Sequence, residues 1–181
     1  MNNDLVRLTR AADYAARQHG QQRRKGEAAE PYINHLTEVA AMLAEATGGG
    51  DVVLVMGGLL HDTIEDTGAT HADLAERFGA DVADLVAEVT DDKSLKKEER
   101  KRLQIEKTPA KSLRAKLLKL ADKTSNLRSL INSPPTGWTQ ERLRDYVVWA
   151  AEVVQSCRGL NAKLEAGFDA AHADAKKRFG G

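Results

Sequence analysis

The sequence predicts an all-α fold, and three observations predict it. No segment sustains the period-two alternation of a half-buried strand, and the β-branched residues sit inside helical patterns. Apolar residues recur instead at three- and four-residue spacing, in segments punctuated by glycine, proline and capping residues. At 181 residues the chain is most economically one domain, long enough to bury a sizeable core. The expected domain spans 1–181, with an ordered core over about 4–168 and a polar tail.

Composition narrows the function classes. Lys+Arg and Asp+Glu are both 27, so no global charge pulls the chain toward nucleic acid or a membrane surface. A single cysteine, Cys157, excludes an intramolecular disulfide and fits a reducing, cytoplasmic setting. The start, Met1-Asn2-Asn3-Asp4, lacks the apolar centre of a signal peptide. The longest apolar run, Val52 to Leu60, is too short to span a bilayer and contains Gly57-Gly58. The expected partner is a small molecule, with no nucleic acid and no membrane; the oligomeric state stays open.

Taken in order, Asn2 or Asn3 caps a first helix with Leu5, Leu8, Ala12 and Ala15 on its inner stripe, ended by His19-Gly20. A basic, polar loop from Gln21 to Glu27 leads to Pro31-Tyr32-Ile33-Asn34-His35. Leu36, Val39, Ala40 and Leu43 mark a second helix, stopped by Gly48-Gly49-Gly50. Asp51 caps a third. Thr70 and Asp73 resemble a capping arrangement for a short helix holding Leu74 and Phe78, followed by one with Val82, Leu85, Val86 and Val89 inward. Lys93 to Lys119 carries a net charge of +8, readable as a solvated face with a Glu98–Arg102 pair or as an electropositive rim for an anion. Leu113, Leu117, Leu120, Thr124, Leu127 and Ile131 describe one long helix, edged by a polar seam of Asp122, Asn126 and Ser129. Asn132 to Gly137 breaks it. A final helix is expected from about Gln140 through Leu143, Tyr146, Val147, Val154, Cys157, Leu160 and Leu164, and Ala170 to Gly181 is expected to fray.

The chemistry centres on the end of the third helix. His61, Asp62, Glu65 and Asp66 arrive within six positions after a buried apolar run, where charged groups are rare unless paired or bound to a metal. A His-Asp pair alone is more often an ordinary polar helix terminus. Here, however, three helices each carry a candidate ligand: His35, the His61-Asp62 pair, and Asp122. Two imidazoles and two carboxylates suit manganese, iron or zinc better than calcium or magnesium. Glu65 and Asp66 remain to handle water. His19, His71 and His172 sit in polar surroundings outside any motif, so one ion is expected.

With this order of residues, His, His-Asp, then a distant Asp, the chain resembles the HD-domain metal-dependent phosphohydrolases. Arg24-Lys25, Pro31 to His35, His61 to Thr67 and Lys119 to Asp122 with Asn126-Leu127-Arg128 look like the hydrolase domain of RelA/SpoT alarmone enzymes. Gly137-Trp138 and Arg142 to Ala151 extend the likeness to the small stand-alone branch that includes the metazoan SpoT homologue.

The resemblance implies a helical HD-domain fold. It further implies one Mn²⁺ held by His35, His61, Asp62 and Asp122, with Glu65 and Asp66 positioning or activating water. Arg24, Lys25 and Asn126 match nucleotide contacts; Arg142 and Tyr146 wall the pocket, with Lys97 or Lys96 reaching phosphate. The implied reaction removes the 3′-pyrophosphate from (p)ppGpp, leaving GDP or GTP. The alternatives are a phosphatase acting on the NADPH 2′-phosphate and an inactive nucleotide sensor. Ser125, where a His is common in the family, and the longer loop from Lys25 to Pro31 are departures expected to bear on substrate choice rather than on the metal ligands.

Overall fold

Residues 3–180 are described by a computed structural model, in which local sequence signals set most helix boundaries. The α-helices are α1 (Asp4–Gln18), α2 (Ile33–Ala46), α3 (Val52–Leu60), α4 (Thr63–Asp66) and α5 (His71–Phe78). They continue as α6 (Ala80–Val89), α7 (Lys97–Lys107), α8 (Leu113–Asn132), α9 (Gln140–Val154) and α10 (Ala162–Phe179). Among the described residues there is no strand, only two isolated bridges, Arg23 to Pro31 and Gly26 to Pro135. The Asp51 carboxylate accepts from the Leu54 amide at the start of α3, and Thr70 and Asp73 form a full capping box on α5. Ser112, Thr139 and Asn161 cap α8, α9 and α10, each satisfying amides that a helix start leaves orphaned.

α8 is the spine. It packs against α2, α3, α6, α9 and α10, and Leu117, Leu118, Leu120, Leu127 and Leu130 all lie in the core. Each such leucine contributes about 2 kcal/mol by leaving water. α3 is buried along nearly its whole length between α1, α2, α6 and α8. Such close packing requires Gly58: a Cβ there would stand 2.9 Å from Leu43 Cδ1 and 3.0 Å from the Ala40 Cα. Gly58→Ala is therefore expected to cost about 1–3 kcal/mol through overpacking against backbone that cannot yield. Chemical denaturation with an unchanged midpoint would contradict the contact. α3 thus delivers His61 and Asp62 into the interior, and α8 delivers Asp122.

Several expectations are corrected. Asn2 lies outside the described residues, and Asn3 makes no side-chain capping bond. Leu5 is exposed; of the expected stripe α1 buries Ala15 and packs Leu8 and Ala12 against the core, and Ala11 is buried beside them. Leu113 is exposed at the first position of α8, before the helix meets its neighbours. Arg102 pairs with Glu99 and Glu106 rather than Glu98.

The final helix is two. α9 stops at Val154, the chain turns through Gly159 at φ 78°, and Asn161 starts α10, leaving Leu160 exposed. The stretch from Ala170 is helical to Phe179, with Ala171, Ala175 and Phe179 buried. Its stripe is mostly alanine, which packs against α8 and α9 without announcing itself as apolar.

Candidate active site

The two candidate histidine ligands are each held from behind. His61 Nδ1 lies 2.9 Å from the Gly58 carbonyl oxygen. A carbonyl only accepts, so Nδ1 carries a proton in either charge state of the ring, and Nε2 is the nitrogen left free to face the carboxylates. His35 Nδ1 lies 2.8 Å from Ser125 Oγ, whose hydroxyl donates to Glu38 at 2.6 Å. That hydroxyl proton being spent on the carboxylate, Ser125 accepts from His35, and Nε2 is again the free nitrogen. Ser125 therefore does touch a candidate ligand, contrary to expectation: it orients His35.

Both Nε2 atoms face the same carboxylates. His61 Nε2 is 3.2 Å from Asp62 Oδ2 and 3.9 Å from Asp122 Oδ1; His35 Nε2 is 3.7 Å and 3.4 Å from the same two atoms. His61 Nε2 is buried with no hydrogen-bond partner among the described residues. Ligand atoms of His35, His61 and Asp62 lie within 4.8 Å of one another. Burial alone would lower the His61 imidazole, but Asp62 and Asp122 outweigh it and hold it up at about 9. Burial raises the two carboxyls, yet His61 on Asp62 and Lys123 on Asp122 hold both below the usual range. A pocket that calls so strongly for positive charge, with two inward Nε2 atoms and two carboxylates, fits a divalent transition ion, which would take the place of the His61 Nε2 proton.

Around these four the chain supports the rest. Asp62 Oδ2 accepts from the Tyr32 phenol at 2.6 Å. Asp122 accepts from Lys123 at 2.9 Å and from Asn126 at 2.6 Å, and Asn126 accepts from Arg24 at 3.0 Å. Glu65 accepts from the Asp91 amide at 3.1 Å, faces Arg100 at 3.7 Å, and is pushed up by burial. Asp66 accepts from Gln22 at 2.7 Å and pairs with Lys93.

Above the cluster opens a cavity of about 1010 Å³. Asp62, Glu65 and Asp66 reach its wall, as do all six expected nucleotide contacts: Arg24, Lys25, Lys97, Asn126, Arg142 and Tyr146. His35, His61 and Asp122 lie beneath. Trp138, Tyr146 and Trp149 form an aromatic row, with Arg142 4.2 Å and Lys97 5.5 Å from the Trp138 ring centre.

The two readings of the basic stretch each hold for one face of α7. Lys97, Arg100 and Lys101 line the cavity, while Glu99, Arg102 and Glu106 pair in solvent. Lys96 lies outside the lining. Lys93, Arg100 and Lys101 fall within the basic stretch read from the sequence but were not singled out there, and neither was Trp149. The last three had a signal: Arg100 and Lys101 fall one turn from Lys97, and Trp149 falls near one turn from Tyr146.

A family model for the HD domain matches residues 11–151. The chain belongs to the HD-domain family. Among HD-domain relatives it is 50% identical to guanosine-3′,5′-bis(diphosphate) 3′-pyrophosphohydrolase MESH1 of Homo sapiens, over 91% of this chain and 92% of that one. It is 54% identical to the Drosophila melanogaster protein of the same name over 86% and 87%. A solved structure titled as a metazoan ortholog of SpoT that hydrolyzes ppGpp superposes with a TM-score of 0.87 at 51% identity, over 91% of this chain and 93% of that one. The expected HD-domain helical fold is therefore the observed one. No described helix is long and apolar enough to cross a membrane.

Proposed function

We propose that this HD-domain protein is a Mn²⁺-dependent hydrolase of (p)ppGpp-type nucleotides, releasing pyrophosphate and GDP or GTP. One observation carries the reading: two buried imidazoles, each with Nδ1 anchored and Nε2 turned inward, meet Asp62 and Asp122 beneath a cation-lined cavity. The printed names of the MESH1 relatives support the substrate class.

His35, His61, Asp62 and Asp122 would hold one ion. When bound, it supplies neutralisation of phosphate charge and a water of lowered pKa. The remaining steps belong to side chains. Glu65, whose carboxyl burial pushes up, takes the proton of the attacking water. Asp66 orients that water. Arg24, Asn126 and Tyr146 hold the nucleoside, Asn126 also tying that contact to Asp122. Lys25, Lys97 and Arg142 meet the phosphates, and their ammonium and guanidinium groups favour a doubly phosphorylated nucleotide over a monophosphate. We place the activity in the cytoplasm, with the helices serving as one catalytic domain.

Product identity tests the reading. Purified protein given ppGpp with Mn²⁺ is expected to release GDP and pyrophosphate, and chelation is expected to abolish this. Orthophosphate from NADPH, with ppGpp untouched, would move the substrate while keeping the site. Turnover of neither by metal-loaded protein would overturn the hydrolase reading and favour a nucleotide sensor.

A further inference from the structure

His19 was expected in polar surroundings with no role. It stands instead at the end of α1, only 2% exposed. Its Nδ1 lies 2.5 Å from Gln22 Oε1, and Gln22 Nε2 lies 2.7 Å from Asp66 Oδ2. The protons in this chain run one way. The Asp66 carboxylate accepts, so the Gln22 amide nitrogen faces it and the amide oxygen faces His19. That oxygen only accepts, so His19 Nδ1 carries a proton in either charge state of the ring. His19 Nε2 has no hydrogen-bond partner among the described residues, which leaves Gln22 as the ring's single hydrogen-bond partner there.

The ring is also clamped. It stacks on Tyr32 with centroids 5.3 Å apart and planes at 21°, and the Tyr32 phenol is the donor to Asp62. Backbone bonds close the loop: the Gln22 amide donates to His19 O at 2.9 Å, and the Tyr32 amide to Gln22 O at 3.1 Å. The other group on Asp66, Lys93, is half exposed on a long flexible stem. The inner anchor of Asp66 is therefore the His19–Gln22 arm.

We propose that His19 is a positioning residue: its Nδ1–H holds the Gln22 amide in the orientation that donates to Asp66, and so holds that carboxylate where it meets the attacking water. The proposal rests on the role given to Asp66 above.

Two substitutions separate donor from packing. His19→Phe keeps a ring against Tyr32 and removes the donor; His19→Asn places an amide N–H near the position of Nδ1. His19→Phe is expected to lower kcat about 10- to 100-fold, as loss of an outer supporting hydrogen bond does. KM and Mn²⁺ affinity are expected to stay within about threefold. His19→Asn should recover most of the loss. In a Gln22→Met background, His19→Phe should add nothing, because the arm is already cut.

Wild-type kcat in His19→Phe, no recovery in His19→Asn, or additive losses with Gln22→Met would each overturn the proposal. Long-range ¹H–¹⁵N correlation spectra of the unmodified protein read the ring independently of turnover. A proton on Nδ1, together with faster exchange of the Gln22 side-chain amide in His19→Phe, is expected; a bare Nδ1 refutes the arm. Should the unmodified protein turn over no nucleotide, the hydrolase reading fails separately, and the spectra still decide whether His19 orients Gln22.

Discussion

Asp62→Ala is expected to lower turnover of ppGpp by at least about 10³-fold, which is about 4 kcal/mol of transition-state stabilisation. Asp62 Oδ2 is the carboxylate atom shared between His61 Nε2 at 3.2 Å and His35 Nε2 at 3.7 Å. It is also the one candidate ligand that reaches the cavity wall. Removing it takes away a negative charge that no neighbour replaces, so the affinity for Mn²⁺ should fall with the rate. The fold should persist, because Asp62 makes no capping bond at the start of α4 and stands at the cavity wall outside the apolar core, where the Tyr32 phenol that donates to it also lines the cavity. Calorimetric Mn²⁺ titration, a rate assay and a thermal melt on one preparation check all three. Turnover within tenfold of wild type would remove Asp62 from the site.

Phe179→Ala is expected to destabilise the protein by about 3 kcal/mol, the cost of deleting a buried ring and leaving its space partly empty. Phe179 lies at the last position of α10, 6% exposed, in the same core as Phe168, Leu164 and the leucines of α8. Val148→Ala, at a side chain left in solvent, is the control and should change stability by no more than about 0.5 kcal/mol. Equal midpoints for the two variants in urea would mean that the tail frays after all.

These two predictions sit on opposite sides of what can be read from a linear chain. Metal-ligand candidates were legible because chemistry constrains residue type. A His-Asp pair closing an apolar helix is costly without a partner, and His35 and Asp122 open and interrupt two other apolar stripes. The tail was not legible, because alanines at helical spacing look the same whether they face solvent or a neighbouring helix. Burial of Ala171 and Ala175 is decided by α8 and α9, not by α10. Leu5 fails in the opposite sense: it falls on an apolar stripe, but its side chain stands in solvent.

The site divides in the same way. Glu65 and Asp66 were visible from their place one turn after Asp62. The groups that orient the site were not. Ser125 behind His35, the Gly58 carbonyl behind His61 and the His19–Gln22 arm behind Asp66 are ordinary residues, made specific by distance alone. By itself, then, the sequence determined the all-helical class, most helix boundaries, the candidate ligands and the carboxylates beside them, since these depend on periodicity, capping and residue chemistry within a few positions. Only the tertiary structure decided which nitrogen of each imidazole faces inward, which face of α7 lines the cavity and which alanines are core. The His61 bond to Gly58 is local, but His35 is oriented by Ser125, 90 residues on, and α7 meets the site through Arg100 at Glu65 and through the Lys101 carbonyl at Trp149, 48 residues on, meetings that are a property of packed helices and not of any local pattern.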